Sequence, residues 1–223
     1  MKTQRTERML LASGVVLLLG MGLLLWTPAA EAGCAKAPFP ASGQTTPYTA
    51  ILQGGTSAVA VPDDGTVEAG AALRYVDNGN GTITDKNTGL VWEQKVAGSS
   101  CLHCVNDTYV WSNSSTPGAN RTIWDWLADV NAEGGTGLAG KRDWRIPNVK
   151  ELQSIVDYEV LNPSIDPIFG PTAPSFYWSS TTGADFPGFP VNAWGVFFFV
   201  GDSFDTGKSG FAHVRAVRGG CVD

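Results

Sequence analysis

Two cysteines and a histidine within four residues are the clearest candidates for chemistry in this sequence. Cys101 and Cys104 have the spacing of a dithiol redox centre, and with His103 and the distant His213 they have the atom types of a zinc site. A redox centre usually opens a helix, however, and the residues from Val105 onward are typical of a turn and a strand. The spacing also supports no known zinc motif. A local disulfide is therefore the preferred prediction, with redox or metal chemistry as the alternative and no cofactor expected.

The chain has four cysteines, and an even number in an oxidising compartment is first interpreted as disulfides. Three pairings are possible. In the pairing that keeps Cys101 with Cys104, the other bond joins Cys34 to Cys221 and closes the two ends of the mature domain.

The N-terminal residues have the composition of a secretory leader. Basic residues up to Arg8 precede an apolar run from Met9 to Trp26, and Ala30 and Ala32 give the small-residue pattern of a cleavage site. We expect residues 1–32 to be a signal peptide and the protein to be periplasmic, at the cell surface or secreted. A lipoprotein anchored through Cys34 and an uncleaved membrane anchor are the alternatives.

The charge balance excludes some ligands. The chain has 15 Lys and Arg against 21 Asp and Glu, a net charge of −6. Removing residues 1–32 takes away three basic and two acidic residues, so the mature chain carries −7. Binding of nucleic acid through bulk charge is therefore excluded.

The remaining sequence favours short strands and turns over a helical bundle, with 27 glycines and 13 prolines along the chain. Residues 33–68 lack periodicity and are expected to be an extended segment or linker before a domain over 69–223. The stretch 74–94 predicts a three-stranded meander, and the Asp, Asn and Gly residues of 77–81 are interpreted as turn residues rather than a calcium loop. Helices are predicted at about 123–133 and 149–157, the second with Asn148 and Glu151 as a capping box.

Several short motifs occur in an order that resembles the C-terminal domain family named for the Legionella collagen-like adhesin. The motifs run from about residue 40 to 219, and they are Gly43-Gln44-Thr45-Thr46, Asp63-Asp64-Gly65, Asp77-Asn78-Gly79-Asn80-Gly81-Thr82, Thr88-Gly89-Leu90-Val91-Trp92, Asp143-Trp144-Arg145-Ile146-Pro147-Asn148, Lys150-Glu151-Leu152, Tyr177-Trp178-Ser179-Ser180 and Val214-Arg215-Ala216-Val217-Arg218.

This resemblance implies an α+β, C-type-lectin-like fold in which two helices pack on short twisted antiparallel sheets with long loops. It also implies that the ends of the domain are close together, which supports the Cys34 to Cys221 pairing. Trp144, Arg145 and Trp178 are then scaffold residues, and we expect an internal ion pair between Arg145 and Glu151. We further expect Trp92, Trp144, Trp178 and Trp194 to be buried.

The expected working surface is the aromatic stretch that begins near Ala184. Alternation over 194–200 places Trp194, Val196, Phe198 and Val200 on one strand face and Phe197 and Phe199 on the other. Both faces are apolar, so a strand buried on both sides is one interpretation and an exposed aromatic patch is the other. The candidate ligand-binding residues are Asp185, Phe186, Phe189, Asn192, Phe197, Phe199, Asp202, Phe204 and Asp205.

No catalytic residues are predicted, because the sequence lacks hydrolase, metalloprotease and phosphate-loop motifs. The predicted function is exported, adhesin-like recognition of a protein or glycan. The alternatives are a redox or metal enzyme centred on Cys101 and Cys104, and a structural subunit of a cell-surface assembly whose copies associate. A membrane is expected as a partner only through a retained leader or a lipid anchor.

Overall fold

The computed structural model describes residues 39–113, 118–184 and 191–219. Within these ranges the protein is an α+β structure with small antiparallel sheets and few helices. The predicted leader, Cys34, Cys221 and the candidates Asp185, Phe186 and Phe189 lie outside the described residues.

The strands are short because Gly, Asn, Asp and Pro interrupt the chain every few residues. In chain order they are β1 (Thr49–Ala50), β2 (Val59–Ala60), β3 (Tyr75–Asp77), β4 (Thr82–Asp85), β5 (Val91–Glu93), β6 (Tyr109–Val110), β7 (Phe176–Thr182), β8 (Asn192–Phe197), β9 (Asp202–Gly207), β10 (Phe211–Ala212) and β11 (Val217–Arg218).

The first larger sheet has the strand order β11-β5-β4-β3. Strands β3, β4 and β5 pair sequentially and antiparallel, so the predicted meander is confirmed. The turn between β3 and β4 is exposed, and its side-chain oxygens bind within the turn: Asp77 accepts from the Gly79 amide at 2.7 Å, and Asn80 accepts from the Thr82 hydroxyl at 2.7 Å. These bonds agree with the interpretation of the segment as turn residues.

The second larger sheet has the order β7-β8-β9. Strand β8 ends at Phe197, and Phe198 to Gly201 form the turn that leads into β9. Gly201 has a φ of 86° and donates its amide to the Phe197 carbonyl, which closes this turn. The prediction of one strand as far as Val200 is therefore wrong, although burial still alternates from Val196 to Phe199.

The helices begin where their caps predict. They are α1 (Asp64–Val67), α2 (Ile123–Ala132) and α3 (Val149–Gln153). Capping boxes are formed by Thr122 with Asp125 and, as predicted, by Asn148 with Glu151. Helix α3 ends earlier than predicted, because the Ser154 hydroxyl donates to the Glu151 carbonyl and competes with the helical backbone.

Two apolar clusters form the core, one on each face of the β7-β8-β9 sheet. One cluster includes Tyr177 and Val196, and the other includes Trp178 and Ala193. Trp92, Trp144 and Trp178 are buried as predicted. Trp194 is less deeply buried than these three and lies directly opposite the polar Asp205 of β9.

Residues 39–68 hold the β1-β2 hairpin and α1, and they contact the rest of the fold at defined points. The Ala41 amide donates to the Ala71 carbonyl at 2.8 Å, and the Tyr158 amide donates to the Ser42 carbonyl at 2.9 Å. In the part of the chain that the structure describes, no helix is long and apolar enough to cross a membrane.

Candidate recognition surface

Four phenylalanines gather at one end of the β7-β8-β9 sheet, and together they are called the aromatic surface: Phe176, Phe197, Phe199 and Phe204. Phe176 pairs with Phe197 across β7 and β8, so the two side chains share one face of the sheet. The Phe204 ring centroid lies 4.8 Å from that of Phe176 and 6.3 Å from that of Phe197. Phe199, in the turn after β8, lies 5.9 Å from Phe197.

The aromatic surface is open to solvent. Phe199 is 43% exposed and Phe204 is 42% exposed, whereas their neighbour Phe198 is completely buried. Phe176 and Phe197 are partly buried between them and the core. The interpretation of this strand as buried on both sides therefore holds for its centre and not for its end.

The aromatic surface rests on a rigid support. The Phe176 ring packs edge-on against Trp178 with centroids 5.2 Å apart, and the buried Trp178 indole donates to the Tyr109 carbonyl at 3.0 Å. Gly195 faces the Phe176 ring so closely that any side chain there would collide with the ring and with the Tyr177 carbonyl. This close contact fixes the position of Phe176, so little ordering is needed when a ligand binds.

The sheet register divides the predicted polar residues between two faces. Asp202 pairs with Phe197 and is exposed, so it lies at the rim of the aromatic surface. Asn192 and Asp205 lie on the opposite face, where the Asn192 amide donates to the Asp205 carboxylate at 3.0 Å. The structure therefore brings Asp202 together with the phenylalanines and separates Asn192 and Asp205 from them.

The Cys101 to Cys104 disulfide predicted from the sequence is present. In this bonded form neither sulfur is a thiolate that could bind zinc. Asp107 holds the same loop by accepting the amides of Ser100 at 2.8 Å and Cys101 at 3.1 Å. The disulfide loop is thus a fixed structural element.

A buried charged network centred on Glu93 was not predicted from the sequence. Both Glu93 and Lys95 are buried, and the Lys95 ammonium lies 2.8 Å from the Glu93 carboxylate. The same Glu93 oxygen, Oε1, lies 2.7 Å from Nδ1 of His103. The second carboxylate oxygen of Glu93, Oε2, accepts a hydrogen bond from the Ala216 amide at 2.9 Å. The signal for this network was the position of Glu93 and Lys95 two residues apart in a strand segment, because that spacing places both on one face.

Arg215 joins the network from a segment that is distant in sequence but adjacent in the fold. Its guanidinium is fully buried and donates to the carbonyls of Glu93 at 2.7 Å and Phe169 at 3.0 Å, and to the Thr172 hydroxyl at 2.8 Å. It also lies over the Phe169 ring at 5.6 Å. The network therefore joins β5 to the segments around Phe169 and Arg215.

The electrostatics of the network favour the charged forms of Glu93 and His103, whereas burial lowers the pKa of Lys95. Burial raises the pKa of Glu93, but the charge of Lys95 and the hydrogen bond from His103 outweigh burial, so the pKa falls below its usual value. Burial lowers the pKa of His103, but hydrogen bonds to Glu93 and Glu133 outweigh burial and raise the pKa above its usual value. His103 therefore favours its charged form between two carboxylates.

Stability should consequently depend on the protonation of His103. A raised folded-state pKa stabilises the protein fully below the unfolded histidine pKa of about 6.5, and this contribution is lost as the pH rises through the folded-state value. We expect the difference in unfolding free energy between the wild type and His103→Gln to be larger at about pH 6 than at about pH 9. Urea unfolding at the two pH values measures this difference.

The second histidine, His213, also titrates, but its effect on stability cancels in that comparison. Burial lowers the pKa of His213, so its own contribution is present above its unfolded pKa and is lost as the pH falls. Because both proteins contain His213, its effect cancels in the difference. A difference that does not change with pH would contradict a charged role for His103.

The DWRIPN and KEL motifs, predicted to be scaffold, form an ion-pair junction. Arg145 donates from its two terminal nitrogens to the two Glu151 oxygens at 2.7 and 2.6 Å, which confirms the predicted pair. The Trp144 indole donates to the Leu138 carbonyl at 2.9 Å, and Arg218 binds Asp143 through two nitrogens. These motif residues hold the ends of elements together and do not contribute to the aromatic surface.

The family model for the Lcl C-terminal domain matches residues 81–218, which is more than half of the chain. The chain belongs to the Lcl C-terminal domain family. The match includes the aromatic surface, the disulfide loop and the buried network of this Lcl C-terminal domain, and it excludes the β1-β2 hairpin. No curated protein matches the chain.

Proposed function

We propose that this Lcl C-terminal domain is an exported, non-enzymatic recognition domain of the adhesin type, with a C-type-lectin-like fold. Its aromatic surface binds a protein or a glycan. The observation that carries this proposal is the exposure of Phe199 and Phe204 beside the buried Phe198. Clustered aromatic rings with a polar rim are the usual composition of a binding hot spot.

Export is supported by three independent features. The leader pattern of residues 1–32 predicts secretion, the Cys101 to Cys104 disulfide suits an oxidising compartment, and the family is associated with an adhesin.

A non-enzymatic role is supported by the bonds and contacts that the histidine and cysteine side chains make within the fold. His103 is held between Glu93 and Glu133, and His213 stacks on Tyr177 with ring centroids 5.1 Å apart. Cys101 is bonded to Cys104. These two histidines and the two cysteines are thus part of the packing.

The negative charge at and around the aromatic surface limits the classes of ligand that can bind there. Asp202 lies at the rim of the aromatic surface, and the whole chain is acidic with a net charge of −6. An anionic polysaccharide would be repelled, so the proposed ligand is a neutral glycan or a protein segment with apolar and basic groups.

A binding screen tests the proposal. The labelled full chain is applied to a glycan array and to a panel of extracellular proteins, beside the double variant Phe199→Ser with Phe204→Ser. We expect at least one ligand whose signal is lost in the double variant. Tyr48→Ser is the matched control, because Tyr48 is an exposed aromatic residue outside the aromatic surface, and its signal should be unchanged.

The screen can also contradict the proposal. Equal signals for the wild type and the double variant on every ligand would place binding elsewhere. Sedimentation of both proteins over a concentration series covers the alternative of a structural subunit. Self-association that the double variant abolishes would show that the aromatic surface binds a second copy instead.

A further inference from the structure

The β1-β2 hairpin and its flanks form a segment without charge. From Phe39 to Pro62 the sequence contains no Asp, Glu, Lys or Arg, although the chain as a whole has 36 such residues. The same segment exposes large apolar side chains: Phe39 is 86% exposed, Ile51 is 65% exposed and Leu52 is 57% exposed. An exposed apolar segment from which ionisable groups are missing marks an interaction surface.

The hairpin projects from the domain. Thr49 pairs with Ala60 and Ala50 with Val59, and every residue from Ile51 to Ala60 is exposed. The Gly55 amide donates to the Leu52 carbonyl at 2.8 Å and forms a turn beside the two large apolar side chains. Ile51 and Leu52 therefore lie near the tip of a projecting hairpin and not on a flat face.

The base of the hairpin is fixed to the fold. The Asp63 carboxylate accepts the Tyr48 amide at 2.8 Å and caps α1 through the Thr66 amide at 3.1 Å. The Glu159 carboxylate accepts the Thr45 amide at 2.9 Å. These bonds fix the base of the hairpin to the fold, and the exposed tip extends from it.

The position of the hairpin in the chain indicates which kind of partner it contacts. Phe39 follows Cys34, the predicted lipid-anchoring alternative, by five residues, and the apolar run from Met9 to Trp26 precedes both. The hairpin itself begins at Thr49, 15 residues after Cys34, so a retained anchor would tether it near the membrane. The acidic remainder of the chain would be repelled by anionic lipid, whereas the uncharged hairpin would not.

We propose that the β1-β2 hairpin is a membrane contact that inserts Ile51 and Leu52 into the interface of a lipid bilayer. A projecting apolar tip suits a deformable lipid surface better than the flat, extensive contact of a stable dimer. Insertion stops at the headgroup level, because the irregular backbone of residues 51–58 needs polar partners that the hydrocarbon core does not supply. The exposed Tyr48 suits the same depth, where its ring is apolar and its hydroxyl is hydrated.

Hydrogen–deuterium exchange of the full chain tests the proposal, with and without vesicles of phosphatidylcholine. This readout is local, so it reports on the hairpin whether or not a leader or lipid also binds the vesicle. We expect amide exchange in residues 51–58 to slow by at least about fivefold when vesicles are present. The double variant Ile51→Ser with Leu52→Ser should lose this protection. The matched control Phe211→Ser should keep it, because Phe211 is 62% exposed and lies outside both the hairpin and the aromatic surface.

Three outcomes would overturn the proposal. The first is equal exchange of the hairpin with and without vesicles, and the second is equal protection in the wild type and the double variant. The third is protection that appears without vesicles as the protein concentration rises, which would assign the hairpin to a second copy of the chain. Both substituted residues are exposed, so we expect the melting temperature to be unchanged. That result would show that the variants are folded.

Discussion

Replacing Glu93 by alanine is expected to lower the free energy of unfolding by about 3–5 kcal/mol. The carboxylate is completely buried, and it pairs with the buried Lys95, with His103 and with the Ala216 amide. Its removal leaves the buried ammonium of Lys95 and the Ala216 amide without their partner. Urea unfolding followed by tryptophan fluorescence measures the loss, and a domain of ordinary stability would be close to unfolding.

Glu133→Ala is the matched control for Glu93→Ala. Glu133 binds the other nitrogen of His103 at 3.2 Å, but its side chain is 39% exposed. Because solvent screens this pair, its removal should cost at most about 1 kcal/mol. If Glu93→Ala does not fold, Glu93→Gln supplies the measurement, since the amide keeps the shape and still loses the charge. Equal losses at Glu93 and Glu133 would contradict a buried charged centre.

Replacing Phe198 by alanine is expected to cost about 3–5 kcal/mol, whereas the same change at Phe199 should cost less than about 1 kcal/mol. Phe198 is completely buried and packs edge-on against Tyr177 with centroids 5.2 Å apart. Truncation there would leave a cavity in the core. The Phe199 ring faces solvent and the other rings of the aromatic surface, so its loss opens no cavity.

The comparison of adjacent residues controls for the backbone of the turn, because both substitutions lie between Phe197 and Gly201. Thermal unfolding of the two variants provides the measurement. A large drop in melting temperature for both would show that Phe199 belongs to the core, and the aromatic surface would then be a packing feature. A small drop for both would contradict the burial of Phe198.

Local signals predicted much of this fold. The capping pair Asn148 and Glu151 correctly placed the start of α3, and the clusters of Asp, Asn and Gly correctly separated the strands of the meander. Such features depend on residues close in sequence. The end of α3 could not be predicted in the same way, because the Ser154 hydroxyl can bond either to the helix backbone or to solvent.

Features that depend on distant residues were harder to predict. The partners of Glu93 include Ala216, which is far away in sequence and becomes adjacent only when β11 pairs with β5. The grouping of Asn192 and Asp205 with the phenylalanines ignored the two faces of the sheet, which the register of β8 with β9 separates. The incomplete burial of Trp194 could not be predicted for the same reason, since the register sets its side-chain neighbours.

The residues that stabilise the sheet differ from the residues that are proposed to bind the ligand. The Glu93 network and the Trp178 contacts stabilise the sheet from within, while the aromatic surface occupies the solvent-facing end of the same sheet. Substitutions in the network are therefore expected to change stability, and substitutions at Phe199 and Phe204 are expected to change ligand affinity.

The affinity of the full chain for the first ligand found by the screen tests the central claim most directly. It is measured by calorimetric titration for the wild type, Phe199→Ala and the control Tyr48→Ala. Truncation of a hot-spot ring should weaken binding by about 1–4 kcal/mol, or about fivefold and more, while the control binds like the wild type. Wild-type affinity in Phe199→Ala, with an unchanged melting temperature, would contradict the assignment of the aromatic surface as the binding site.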